Sequence, residues 1–167
     1  SRVTFSASPS QAQLSSLLEH YQNRRYEDAE KLAIFITEQF PEHQLSWKVL
    51  GVVLRQTGRM YEALIVSQKA VELDAQDSGA HYNLGITLQE LGRFEEAELS
   101  YRQAIELNPG HAKAHLDLGN VLKELGRLKE AELSYRQAVA LKPAYTEAHN
   151  NLGVILQELG RFEGAIT

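Results

Sequence analysis

The sequence has no cysteine, which excludes disulfides, thiolate metal sites and cysteine nucleophiles. No apolar run approaches the roughly 18 residues of a membrane-spanning helix, so no membrane contact is expected. There is no basic excess: 17 Lys and Arg stand against 22 Asp and Glu, a net charge of −5. Phosphate backbones are held by clustered basic faces, so nucleic acid is not an expected partner. GxxxxGK[ST], HExxH, GxSxG and any Ser/His/Asp grouping are missing too, and a uniform pattern without irregular insertions leaves little room for an active site. No catalytic residue, metal or cofactor is therefore assigned. The 43% hydrophobic content is enough to bury a core, which sets the chain apart from disordered sequences. The expectation is a soluble protein of the cytoplasm. Residues 1–10 hold no continuous apolar segment and the first residue is Ser1 rather than methionine, so any targeting segment is expected upstream.

What is present is a repeat. LQELGRFEEAELSYRQAIELNP at 88–109 returns as LKELGRLKEAELSYRQAVALKP at 122–143, and aligning 84–117 with 118–151 gives 20 identities in 34 positions. LQELGRFEGAI at 156–166 begins the pattern again; 54–73 is a looser copy and 23–41 a looser one still. The registers are 10–43, 44–77, 78–111, 112–145 and an incomplete 146–167, preceded by a flexible segment, 1–9.

Each register reads as two helices. Leu84, Leu88 and Leu91 form one stripe of a 3.6-residue period, repeated by Leu118, Leu122, Leu125 and by Leu152, Leu156, Leu159. Gly58, Gly92, Gly126 and Gly160 then end the first helix, because glycine accepts the left-handed conformation; Arg24 holds that place in the first register. Phe94, Ala97, Tyr101, Ala104 and Ile105 make the inner stripe of the second helix, and Pro109 and Pro143 close the unit. Ala75 replaces that proline earlier, where Asp77-Ser78 can cap the next helix. Gly85, Gly119 and Gly153 lie inside first helices, at about 1 kcal/mol each against alanine. Close helix approach, with Ala97 and Ala131 opposite, would offset that cost.

These residues resemble the tetratricopeptide repeat (TPR), whose pattern is Trp-x2-Leu-Gly-x2-Tyr followed by Ala, Phe, Ala and Pro. In the second register it falls on Trp47, Leu50, Gly51, Leu54, Ala63, Ser67, Ala70 and Ala75. In the third it falls on His81, Leu84, Gly85, Leu88, Ala97, Tyr101, Ala104 and Pro109. The fourth carries His115, Leu118, Gly119, Leu122, Ala131, Tyr135, Ala138 and Pro143; the fifth carries His149, Leu152, Gly153, Leu156 and Ala165. The first keeps Ala29, Ala33 and Pro41 but has Leu17 at the small-residue position. The resemblance implies an all-α, right-handed α-solenoid of antiparallel helix pairs, a superhelix whose first helices line a concave groove. The likeness extends to regular bacterial arrays and to the non-catalytic arm of protein O-GlcNAc transferases.

With the leucine stripe turned to neighbouring helices, the opposite side of each first helix should face that groove. The expected partner-binding residues are Lys48, Val52, Arg55 and Gln56; Tyr82, Asn83, Ile86, Gln89 and Glu90; Lys113, Leu116, Asp117, Asn120, Lys123 and Glu124; and Asn150, Asn151, Val154, Gln157 and Glu158. Asn83, Asp117 and Asn151 share one slot. An asparagine amide is both donor and acceptor, so it can hold peptide backbone. The resemblance also suggests a carboxylate clamp on Lys48, Val52, Asn83, Lys113 and Asp117, but Val52 replaces an asparagine and Asp117 a cation. A carboxylate there repels another, so no working clamp is expected.

His81, His115 and His149 recur once per repeat, about 10 Å apart. Zinc needs ligands near ~2 Å, so they read as packing residues in the tryptophan slot. His111 falls in a turn four residues before His115. Thr167 is the 22nd position of its repeat, so the expectation is either a fragment of a longer chain or an end covered by another molecule. Self-association through 149–167 is the corresponding partner expectation. The function expected is a scaffold that binds a protein or peptide, with a substrate-recruiting arm of a larger glycosyltransferase, sulfotransferase or methyltransferase as the alternative.

Overall fold

The computed structural model describes residues 8–166, and the side chains of 8–161. The expectations for Phe162, Ala165 and Ile166 side chains, for residues 1–7 and for Thr167 lie outside the described residues. Among the described residues there are nine helices and no strand. The chain divides between Ala75 and Gln76 into two compact units. The first holds α1 (Gln11–Gln22), α2 (Tyr26–Gln39), α3 (Gln44–Gln56) and α4 (Met60–Leu73). The second holds α5 (Ser78–Glu90), α6 (Phe94–Leu107), α7 (Ala112–Glu124), α8 (Leu128–Leu141) and α9 (Thr146–Ile166). Within each unit, consecutive helices pack as hairpins one against the next.

Local chemistry sets the helix ends. Ser10 Oγ accepts from the Gln13 amide at 3.1 Å while Gln13 Oε1 accepts from the Ser10 amide at 2.9 Å, a reciprocal cap for α1. Asp77 caps α5 by accepting from the Gly79 and Ala80 amides. The turn between paired helices needs one left-handed residue, supplied at φ 82, 74 and 76° by Gly58, Gly92 and Gly126. Arg24 takes the same conformation at φ 57°, so the first turn forms with a residue that pays for it in Cβ crowding. The tryptophan slot also has a defined job. Trp47 Nε1 donates to the Pro41 carbonyl at 2.9 Å; His115 Nε2 and His149 Nε2 meet the Pro109 and Pro143 carbonyls at 3.0 and 2.7 Å. A carbonyl only accepts, so both imidazoles carry their proton on Nε2.

In the first unit the core is Leu17, Ala29, Ala33, Ile36, Val53 and Ala63, all fully buried. In the second it includes Ala97, Tyr101, Ala104, Leu116, Val121, Leu122, Ala131, Tyr135 and Ala138. The expected role of the first-helix glycines needs correction. A Cβ on Gly85 would lie 2.6 Å from Cε1 of Tyr101, and one on Gly119 2.5 Å from Cε1 of Tyr135. Tyrosine rings, not Ala97 and Ala131, fill the space the glycines leave. At Gly51 the neighbour is the Ser67 hydroxyl, at 2.9 Å from such a Cβ.

Two further expectations are revised. Gly160 does not end a helix: α9 runs through it to Ile166. Glu98 is not merely a solvated partner of Arg102. Its side chain is 12% exposed and accepts from Arg102 Nε at 2.9 Å and from Arg127 Nη1 at 2.6 Å, tying α6 to the start of α8. Arg59 makes the corresponding bridge between Glu30 and Glu62 in the first unit.

Candidate functional site

In the second unit, α5, α7 and α9 stand in the same repeat position, and polar side chains join them. Tyr82 Oη on α5 donates to Asp117 Oδ2 on α7 at 2.7 Å. Asn151 Nδ2 on α9 donates to Asn120 Oδ1 on α7 at 3.0 Å. Polar first-helix side chains are thus bonded from α5 to α7 and from α7 to α9. Asn83, Ile86, Gln89, Asp117, Asn120, Lys123 and Asn151 are partly exposed there; Lys113, Asn150, Val154 and Gln157 are open to solvent. In the first unit, Lys48, Val52 and Arg55 are partly exposed on α3.

Two of the expected residues are not on this open face. Leu116 is 0% exposed and Tyr82 only 9%. They share one repeat slot, and that slot lies under the next first helix, as the Tyr82–Asp117 bond shows. Asn150, the third occupant, is exposed.

The second helices contribute what the sequence did not announce. The Tyr101 ring packs on Gly85 and its hydroxyl reaches across to donate to Gln89 Oε1 at 2.5 Å. The Tyr135 ring packs on Gly119 and donates to Asn120 Oδ1 at 2.7 Å. Asn120 Oδ1 thus accepts twice, from Tyr135 and Asn151, which turns the Asn120 Nδ2 hydrogens to the other side of the amide. Nothing in the spacing signals these ties, since Tyr101 sits 12 residues after Gln89 and Tyr135 15 after Asn120.

Around Asp117 the environment is mixed. Its side chain is 14% exposed, and Lys113 Nζ stands 3.9 Å from Oδ2. Burial raises the Asp117 carboxyl above its ordinary value, opposed by the Tyr82 bond and by Lys113. Burial and the adjacent Asp117 raise the Tyr82 phenol, so it remains a donor at neutral pH. His111 meets the Tyr82 ring edge-on at 4.5 Å between centroids, and burial lowers its imidazole below the ordinary value. The Tyr135 hydroxyl is raised by burial and then by the carboxylates of Glu158, Asp117, Glu124 and Glu147. Such a face offers amide donors, a carboxylate and short aliphatic side chains, which suits an extended polypeptide. Among the described residues, no group of three or more His, Asp or Glu is placed to hold a metal ion, and no helix is long and apolar enough to cross a membrane.

Comparison with known proteins agrees with this architecture. One tetratricopeptide repeat family model matches residues 82–146 and 116–167, and a second matches 42–109. The chain belongs to the tetratricopeptide repeat family. No curated protein matches it by sequence search. Among solved structures, the MamA protein superposes with a TM-score of 0.83 at 21% identity, covering 93% of this chain and 85% of that one. YrrB, described as a TPR protein with an unusual peptide-binding site, gives a TM-score of 0.76 at 24% identity over 83% of this chain and 72% of its own. The first TPR of Spaghetti (RPAP3), bound to the HSP90 peptide SRMEEVD, gives 0.69 at 28% identity over 70% of this chain and 93% of its own. These likenesses establish the fold: an all-α array of the α-solenoid class.

Proposed function

We propose that the chain is a protein-interaction scaffold whose first-helix face on α5, α7 and α9 holds an extended segment of a partner protein. The observation that carries this reading is the Tyr135–Asn120–Asn151 arrangement, in which a buried hydroxyl fixes a partly exposed amide. Binding an extended chain costs less when the receiving donors are already ordered. Solenoid proteins commonly use the extended surface their stacked repeats create. Peptide binding by RPAP3 and YrrB, both of the same fold, supports the same use here.

The reading is tested by selecting ligands from a displayed random peptide library against the whole chain. Enriched peptides should lose at least about tenfold in affinity for an Asn83→Ala/Asn151→Ala double variant, since two amide contacts at ~1 kcal/mol each are removed. Peptides that bind wild type and double variant equally well would place the site elsewhere.

A further inference from the structure

Resting on that reading, we infer that the segment held on this face carries a basic side chain, an arginine or lysine, seated against Asp117. The Asp117 carboxylate is only partly satisfied. Oδ2 takes the Tyr82 hydroxyl at 2.7 Å and lies 3.9 Å from Lys113, while Oδ1 accepts no hydrogen bond among the described residues. Lys113 is a weak partner: its side chain is 57% exposed and its ammonium stands at the outer limit of an ion pair. His111, edge-on to Tyr82, supplies a ring without supplying a charge. A guanidinium brought in from the groove can take Oδ1 with its fork while its plane lies near that ring, a geometry that suits arginine in particular.

The field around the site has the matching sign. The carboxylates of Glu158, Asp117, Glu124 and Glu147 all act on the Tyr135 hydroxyl. Among the described side chains of α5, α7 and α9, the carboxylates Glu90, Asp117, Glu124, Glu147 and Glu158 stand against the cations Lys113, Lys123 and Arg161. Meanwhile the Asn120 Nδ2 hydrogens, directed away from Tyr135 by its hydroxyl, can donate to a main-chain carbonyl of the same segment. The peptide seen on the RPAP3 repeats, SRMEEVD, is rich in acid; Asp117 selects for the opposite charge.

The test uses the whole chain and two capped nonapeptides, N-acetylated and C-amidated, identical but for a central Arg or Glu, titrated by NMR. The Arg peptide should shift the backbone and side-chain amides of Asn120, Lys113 and Asp117, and should bind roughly fivefold or more tightly than the Glu peptide, the scale of one partly exposed ion pair. Asp117→Asn keeps an acceptor for Tyr82 and so keeps the fold, yet should erase the preference; Asp117→Lys should reverse it. Equal affinities for the two peptides, or a preference that survives Asp117→Asn, overturns the basic-side-chain assignment while leaving the groove in place. Failure of both peptides to perturb the face overturns the groove reading and this inference with it.

Discussion

Replacing one glycine with alanine should have opposite effects at two positions a repeat apart. Both Gly119 and Gly153 lie inside first helices, where alanine is favoured by about 1 kcal/mol. At Gly153 a new Cβ meets nothing within 4 Å, so Gly153→Ala should stabilise by up to that amount. At Gly119 the new Cβ would stand 2.5 and 2.7 Å from Cε1 and Cδ1 of Tyr135. That is about 1 Å inside ordinary carbon contact. The ring cannot swing away freely, because it is fully buried and its hydroxyl is tied to Asn120. Overpacking costs about 1–3 kcal/mol and losing the hydroxyl bond about 1 more, so Gly119→Ala should destabilise by roughly 1–3 kcal/mol net. Urea unfolding followed by circular dichroism, with hydrogen exchange of α7 amides, reads the difference. The single tryptophan, Trp47, sits in the first unit and reports on that unit alone. Adding Tyr135→Ala to Gly119→Ala should return a coupling of at least about 1 kcal/mol. If Gly119→Ala stabilises as Gly153→Ala does, the ring-on-glycine contact does not govern this position.

Three further outcomes are expected. Arg24→Gly should raise the urea midpoint of the first unit, because relieving a left-handed non-glycine residue gains about 1–2 kcal/mol and glycine's added chain entropy returns about 0.5–1; a lower midpoint would refute the argument. His111 has a folded-state value below its unfolded one, so its contribution is complete above the unfolded value of about 6.5 and is lost as pH falls through the folded value. Thermal stability of the second unit should therefore fall as pH drops below about 6.5, and His111→Gln should flatten that slope. Leu156, 43% exposed on α9 one turn from the open Gly153, should let a second copy pack on this helix at high concentration. Sedimentation should show dimer for the wild type and monomer for Leu156→Lys, and a wild type that stays monomeric throughout would refute it.

Helical pairing and the turn glycines Gly58, Gly92 and Gly126 were legible because each depends on residues a few positions apart, whereas Gly160 ends no helix and the histidines His115 and His149, expected to pack, hold hydrogen bonds to proline carbonyls. The leucine stripe was read correctly in kind but was too narrow. Val53, Thr87, Val121 and Ile155 hold one repeat slot and are at most 1% exposed, so each of these first helices buries a second face. Leu116 and Tyr82 left the open surface on a different side of the helix: Tyr82 bonds to Asp117 on the next first helix, so the side of α5 toward α7 is interior even where its residues look like surface ones. α9 differs, with Leu156 exposed where Leu88 and Leu122 in the same slot are buried. The polar slots of the proposed site follow from the 34-residue period, but the bonds among them do not. Its geometry comes from Tyr101 and Tyr135, whose hydroxyls cross between helices at spacings no local period encodes. The likeness to O-GlcNAc transferase arms rests on the sequence pattern alone.

The same two tyrosines explain why packing and recognition are hard to separate in this unit. A phenol ring that fills the space over Gly119 is held rigidly by its contacts, and a rigid ring delivers its hydroxyl to one place. Phenylalanine at position 135 would keep nearly all of the packing and remove only the hydroxyl. Asn120 would then keep its bond from Asn151 but lose the one that sets its amide against the core. The fold should barely register that change, while the orientation of the Asn120 donors should relax toward several alternatives. A donor ordered for only part of the time binds less tightly by the fraction of time it is ordered. If the proposed face binds a peptide, Tyr135→Phe should therefore weaken that binding while leaving the urea midpoint nearly unchanged; a variant that binds as well as wild type would refute the link between the repeat's interior and its surface.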